Sequence, residues 1–280
     1  MSYSETLARA IGEGAFGDME AMYLHRARRE DSLGALVGRD ALIADDLALA
    51  ALGGSVAVEA AEFVRDVATL TVTVDGKRGE AVALQHRWAM REGARVLREV
   101  VVADRLALAT AMGQDIDAWA REIGANRPAQ PPLGELRSGR GQLGAGDRAW
   151  GCKERPRVAD ALHRIWNGRC LDGIVSLYAE DVAWSGPGGR MGDATALRRW
   201  LTRLLARLPD ATLVLEDARE EGGRVALLWR LFAHEGGVRM RLVVSQLLTM
   251  DGDRIVADET LLDELALEAT RHRPLLAIRR

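Results

Sequence analysis

The sequence predicts an α+β fold built twice in one chain. Three observations lead there. In each half, apolar positions at helical spacing come first and period-2 alternation follows, the order expected when helices are segregated from an antiparallel sheet. A Pro- and Gly-rich stretch separates the halves. The strand that closes the first half, Arg95–Asp104 followed by Arg105-Leu106-Ala107-Leu108, recurs as Arg254–Asp263 followed by Glu264-Leu265-Ala266-Leu267.

The first helix starts at Ser4, with Leu7, Ala10 and Ile11 on one face, and Gly12 and Gly14 break it. Phe16-Gly17-Asp18 opens a short second helix with Met19, Met22 and Tyr23 inward. Asp40 reads as the N-cap of a third, Ala41–Leu52, ended by Gly53-Gly54. The period then changes. Ser55–Phe63, Asp66–Val74, Glu80–Met90 and Arg95–Asp104 are strands of a meander, with turns at Asp75-Gly76 and Glu92-Gly93. Residues 105–124 return to a helical pattern through Leu106, Leu108, Ile116 and Trp119.

Arg127-Pro128-Ala129-Gln130-Pro131-Pro132 then leads into six glycines between Gly134 and Gly151, a linker composition. Its arginines, Arg137, Arg140 and Arg148, do not make a phosphate loop, because no Gly-Lys-Ser/Thr ending and no preceding strand accompany them. The pattern restarts at Val158 with a helix through Leu162, Ile165 and Trp166. A short helix carries Ile174, Leu177 and Tyr178. Asp193 then opens the clearest helix, where Leu197, Trp200, Leu201, Leu204, Leu205 and Leu208 form one stripe stopped by Pro209. Strands follow at Ala211–Arg219, Arg224–Ala233, Val238–Met250 and Arg254–Asp263, then a basic, frayed tail from Arg271 to Arg280. The expected domains are 1–124 and 158–270, joined by a linker over 125–157.

Composition limits the function. The net charge is −3, from 38 basic and 41 acidic residues, which leaves no electrostatic footprint for nucleic acid or an anionic membrane. The N-terminus has no basic-then-apolar leader, and no run reaches the ~18 apolar residues of a membrane span. With two cysteines, Cys152 and Cys170, at no zinc spacing, the expectation is a cytoplasmic protein with idle thiols and no structural metal.

The halves align in order. Tyr23 pairs with Tyr178 at an offset of 155, Glu59 with Glu216 at 157, and Gly93, Arg95, Asp104 and Leu106 with Gly252, Arg254, Asp263 and Leu265 at 159. This pattern reads as an old duplication of one domain into two packed copies.

Several ordered segments carry a family resemblance. They are Leu208-Pro209-Asp210 before the first long strand, Val225-Ala226-Leu227-Leu228-Trp229-Arg230, His234-Glu235-Gly236, and Asp251-Gly252-Asp253-Arg254-Ile255-Val256 with Asp263 eight residues after the Ile. In this order they resemble the SnoaL-like polyketide cyclases (predicted ester cyclases) of the nuclear transport factor 2 superfamily. The resemblance covers residues 158–268 closely and 4–113 loosely. It implies two tandem cystatin-like cones, each of three helices packed on a curved antiparallel sheet around an apolar pocket. It also implies acid/base catalysis by a pocket Asp, as in an intramolecular aldol closure, without metal or cofactor, on a small apolar or polyketide-like molecule. Asp263 matches that Asp. The family often has His-Trp after Ile-Val-Glu, where this chain has Asp258-Glu259.

The candidate catalytic residues are Asp263, Asp104, His86 and His234. A carboxylate at an apolar mouth is desolvated and its pKa rises, as a general acid/base near neutral pH requires. A strand-end Asp can equally cap the next helix. His86 and Trp88 lie two apart and share a strand face, lining a pocket with Asp104 or a core or interface. His234 sits at a hairpin tip. Trp229, Trp88, Trp184 and Arg230 are the candidate ligand-binding residues, Trp229 and Arg230 on opposite faces of one strand. Two functions stand at this point: a cyclase- or isomerase-type enzyme, and a non-catalytic ligand-binding or protein-interaction module. Such domains pair through their sheets, so the tandem chain is expected to form an intramolecular pseudo-dimer, with a further homo-oligomer left open.

Overall fold

The structure is a computed structural model that describes residues 3–13, 16–50, 56–76, 79–126 and 156–270, with His272. Residues 127–155 of the expected linker and the basic tail apart from His272 lie outside the described residues, as does Cys152, whereas Cys170 is a free, exposed thiol.

The first half runs α1 (Tyr3–Glu13), α2 (Phe16–Met22), β1 (Tyr23–Glu30), β2 (Ala35–Val37), α3 (Arg39–Ala50), β3 (Val56–Val64), β4 (Val67–Gly76), β5 (Gly79–Glu92), β6 (Arg95–Ala103), α4 (Arg105–Ala111) and α5 (Ile116–Asn126). The second runs α6 (Arg157–Asn167), α7 (Gly173–Leu177), β7 (Tyr178–Gly186), β8 (Arg190–Gly192), α8 (Ala194–Arg207), β9 (Thr212–Glu221), β10 (Arg224–Glu235), β11 (Val238–Asp251), β12 (Arg254–Leu262) and α9 (Glu264–Thr270). The two sheets have the same strand order, β2-β1-β6-β5-β4-β3 and β8-β7-β12-β11-β10-β9. The α+β class therefore stands, in two units of like topology.

Three expectations need correction. The sheets are mixed, since β1 pairs with β6, and β7 with β12, in parallel. β1 and β7 were hidden because Tyr23–Glu30 and Tyr178–Gly186 carry charges on their exposed positions and follow helices without a glycine break. The helical stretch expected over 105–124 is interrupted at 112–115 and runs on to Asn126, giving α4 and α5. Asp40 lies inside the first turn of α3, which begins at Arg39, and there complements the helix dipole without being the cap.

Each sheet uses its two faces differently, because side chains alternate along a strand. One face holds helices. In the second half Leu162, Trp166, Trp200 and Leu204 pack on Trp229, Val244 and Leu262. In the first half Leu7, Ile11, Met19 and Leu42 pack on Ala68, Leu70 and Val96. The other faces meet each other, where Trp88, Met90, Val100 and Val102 share a core with Leu228, Val243, Leu247 and Leu261. α5 closes the contact at one end by packing Ala120 against Leu265 and Ala269 of α9.

Candidate functional site

Both aspartates are helix caps. Asp104 accepts from Ala107 N at 3.1 Å, and Asp263 from Ala266 N at 3.1 Å. Their second oxygens reach across the halves. Asp104 Oδ2 accepts from Gly188 N at 2.6 Å and Gly189 N at 3.1 Å, which two successive glycines with φ of 73° and 68° turn toward it. Asp263 Oδ2 accepts from Arg105 Nη1, whose other nitrogen donates to Asp31. Burial raises the pKa of both aspartates. The backbone donors oppose it at Asp104, and Arg105 opposes it at Asp263.

The second half's cone holds a buried aromatic core. Trp229 is fully buried among Trp166, Trp184 and Trp200, and its Nε1 donates to Gln246 Oε1 at 2.9 Å. From there a chain of buried bonds runs inward. Gln246 Nε2 donates to Thr260 Oγ1 (3.2 Å), Thr260 to Asp258 Oδ1 (2.6 Å), and Tyr178 Oη to Asp258 Oδ2 (2.6 Å). Burial pushes Asp258 up to about 6 against the pull of the Thr260 and Tyr178 hydroxyls. Trp184 packs on Trp200 at a ring separation of 5.8 Å. A depression of 130 Å³ lies between α8 and α9, beside Arg207 and Glu264.

The first half's cone has the same plan with charge added. Tyr3 and Tyr23 both donate to Glu99, as does Arg29 Nε. Arg29 also reaches Asp46 (2.7 Å) and Asp45 (2.7 Å), and Arg87 Nη2 donates to Asp46 Oδ1 at 2.7 Å. Burial would raise the Asp46 pKa, but Arg87 and Arg29 overcome it and hold the carboxyl below its usual range. Above this network opens a cleft of 290 Å³, lined by Arg87, Asp104, Arg105, Val72, Leu108 and Trp119 among others, with Leu265 of the second half at its rim. Arg87 is 2 % exposed, and its Nη1 has no hydrogen-bond acceptor among the described residues; Glu99 Oε1 stands 3.7 Å away.

The remaining candidates lie elsewhere. His86 and Trp88 share a face, as their spacing requires, and that face is the seam between the sheets. Trp88 Nε1 donates to Ser245 Oγ at 2.9 Å, His86 Nδ1 meets the same Oγ at 2.9 Å, and His86 Nε2 meets Glu259 Oε1 at 2.5 Å. His86 therefore partners Ser245 and Glu259, not Asp104. Arg230, opposite Trp229, enters the seam and pairs with Glu30 and Glu216. His234 is exposed and bonded to Asp210 at 2.7 Å. The structure thus brings Asp104 to a cleft and leaves His86, Trp88 and Arg230 in the seam, Trp229 and Trp184 in a packed core, and His234 at the surface.

Sequence reasoning missed Arg29, Asp46, Arg87 and Glu99. Glu99 and Asp258 stand at the offset of 159 that relates Asp104 to Asp263, each opposite the Tyr of the Tyr23/Tyr178 pair. That repeated carboxylate was the available signal. Among the described residues no set of His, Cys, Asp and Glu could hold a metal ion, and no helix is long and apolar enough to cross a membrane.

No curated protein matches this chain. Similar solved structures include a hypothetical protein with a ketosteroid isomerase-like fold from Catenulispora acidiphila, solved with trimethylamine (18 % identity, 43 % of this chain and 96 % of that one, TM-score 0.39). IdmH of Streptomyces antibioticus, assigned provisionally as a polyketide cyclase, matches at 18 % identity over 41 % of this chain and 99 % of its own, with a TM-score of 0.38. A cystatin-fold protein from Novosphingobium aromaticivorans matches at 20 % identity over 37 % and 93 %, with a TM-score of 0.33. The family model of the SnoaL-like domain matches residues 159–257. The second half of the chain, over those residues, is a SnoaL-like domain.

Proposed function

We propose that the chain binds a small, largely apolar and uncharged molecule in the first half's cleft, and that the second half serves as its packed partner in an intramolecular pseudo-dimer. The observation that carries this reading is the contrast between the cones: Trp229 lies fully buried in one, and the other keeps a 290 Å³ cleft lined by Arg87, whose Nη1 has no hydrogen-bond partner among the described residues. A buried donor without an acceptor is costly, so the cleft is completed by a ligand oxygen. An anion is disfavoured. Arg29, Arg87 and Arg105 at the cleft face Asp31, Asp45, Asp46 and Asp104, and each guanidinium already has a carboxylate partner. A neutral acceptor such as a carbonyl satisfies Nη1 without adding charge.

The test is calorimetric binding of 2-acetylnaphthalene, 2-naphthoate and 2-ethylnaphthalene to the full chain. The ketone is expected to bind about tenfold tighter than either analogue, consistent with one hydrogen bond of about 1.4 kcal/mol. Ala83→Leu, which fills the cleft, is expected to abolish binding of all three. Unchanged binding in Ala83→Leu would sink the reading.

The catalytic version rests on Asp104, the candidate acid/base that lines the cleft and whose carboxyl burial raises. Asp263, the residue matching the family's Asp, reaches the cleft only through Arg105 and acts there as a positioning group. Exchange of the ketone's α-protons in D₂O, followed by NMR, separates enzyme from binder. Catalysed exchange lost in Asp104→Asn supports a cyclase- or isomerase-type acid/base. Binding with no exchange leaves the binding module.

A further inference from the structure

At one edge of the seam, four guanidinium groups meet two carboxylates. Glu30 Oε2 lies 3.0 Å from Arg98 Nη2, 3.0 Å from Arg230 Nη2 and 3.6 Å from Arg241 Nη2, while its Oε1 lies 3.0 Å from Arg28 Nε. Glu216 accepts from Arg98 Nη2 at 2.7 Å and from Arg230 through both Nε and Nη2. The cluster draws on both halves: Arg28, Glu30 and Arg98 come from β1 and β6, and Glu216, Arg230 and Arg241 from β9, β10 and β11.

The charges do not balance. Four cations against two anions leave an excess of two positive charges in a place that is largely out of water. The Arg230, Arg98 and Arg241 side chains are 7 %, 20 % and 31 % exposed. Buried charge is tolerated when it is paired and hydrogen-bonded. Among the described residues two groups fall short: Arg98, though paired through Nη2 with Glu30 and Glu216, leaves its buried Nε without a hydrogen-bond partner, and Arg241 has only the 3.6 Å contact to Glu30, beyond hydrogen-bond length. Burial and the neighbouring Arg230 push the Arg241 pKa down, against the pull of Glu30 and Glu216. Arg241 and Arg28, the latter half-exposed, open the cluster to solvent.

We propose that this edge of the seam is a binding site for a doubly charged oxyanion of the phosphate type, held by Arg241, Arg98 and Arg28 and bridging the two halves. The chemistry follows from the donors. Guanidinium forks match tetrahedral oxyanions in geometry, and charge-assisted bonds of this kind are roughly twice as strong as neutral ones. A dianion cancels the excess charge that Glu30 and Glu216 leave. The site is independent of the cleft, shares no residue with it and does not rest on the function proposed above.

The test is thermal unfolding of the full chain at pH 7 and constant ionic strength, with sodium chloride replaced stepwise by sodium phosphate. A second arm uses glycerol 1-phosphate, to separate a free phosphate site from one for a phosphate ester. Phosphate is expected to raise the Tm saturably, by about 3 °C at tenfold over its Kd. Arg199→Gln, an exposed arginine on α8, serves as control and is expected to keep the response. Arg241→Gln is expected to lose the response. Without phosphate it should be at least as stable as the parent, because it removes an undercompensated charge. A merely structural arginine would give the opposite, a lower starting Tm. An equal rise in Arg241→Gln, or no difference between phosphate and chloride, overturns the proposal.

Discussion

At the residue scale, the most informative groups are the carboxylates held by tyrosines inside each cone. Asp258 is buried, and among the described residues its side-chain partners are the Tyr178 and Thr260 hydroxyls, so its charge is uncompensated. Its folded pKa of about 6 lies above the usual value near 3.9. For a group raised on folding, the stability it contributes is fully present below the unfolded pKa and is lost as pH rises through the folded one. The window is therefore about pH 4 to 6. Asp258→Asn should be more stable than the parent at pH 7, by on the order of 2–3 kcal/mol, with the difference vanishing near pH 4. Urea unfolding at both pH values checks this, and a parent more stable than the variant at pH 7 would refute it. Glu99, the counterpart in the first half, is matched by Arg29, and no such gain is expected there. Sequence could not assign these roles. It offered Asp104 and Asp263 as strand-end acids, and whether such an acid caps a helix or faces a ligand depends on what the opposite half brings to it.

At the level of elements, β5 and β11 hold the two halves in register. Period-2 alternation correctly set His86 and Trp88 on one face of β5. It pointed the wrong way on which face the helices cover, because Ala83, Gln85 and Arg87 on the other side are the more polar set and yet Arg87 reaches Asp46 of α3. The buried Arg87 looked like a solvent position, since only its distant partner Asp46 makes burial tolerable. On β11, Ser245 receives Trp88 Nε1 and meets His86 Nδ1 across the seam. Ser245→Ala leaves a buried indole N–H unpaired and a ring nitrogen without its partner, which should cost about 2–3 kcal/mol. The Tm is expected to fall by about 6 °C. A loss below 1 °C in a calorimetric scan would mean that the seam does not depend on this contact. The caps can be tested the same way. Asp104→Ala removes the cap of α4 and both bonds to Gly188 and Gly189, so it should cost more than the ~1 kcal/mol of an ordinary cap. Asp193→Ala, which loses only its bond to Ala196 N at 2.9 Å, should cost about that ordinary amount.

At the scale of the whole molecule, the chain is two like sheets back to back. The periodicity of helices and strands made that class legible, and the repeated final strand made the doubling legible. The parallel pairing of β1 with β6, and of β7 with β12, was not, because a short charged strand draws its stability from a neighbour far along the chain. The seam gives the halves their mutual dependence. Trp88, Met90, Val100 and Val102 are buried against the second sheet, and at about 1.5–3 kcal/mol for each large apolar side chain they account for about 6–12 kcal/mol. That is the size of a whole domain's stability. Separation would also strip Glu216 from Arg98 and Asp263 from Arg105. Residues 1–126 expressed alone should therefore be insoluble or self-associated. Co-expressed with 156–280, they should elute as a one-to-one complex in size-exclusion chromatography. Leu228→Asp in the second piece places a carboxylate against the Trp88 and Val100 cluster and should break that complex. A monomeric 1–126 that unfolds cooperatively would show that the first cone is self-sufficient, and the second half would then need a function beyond covering it.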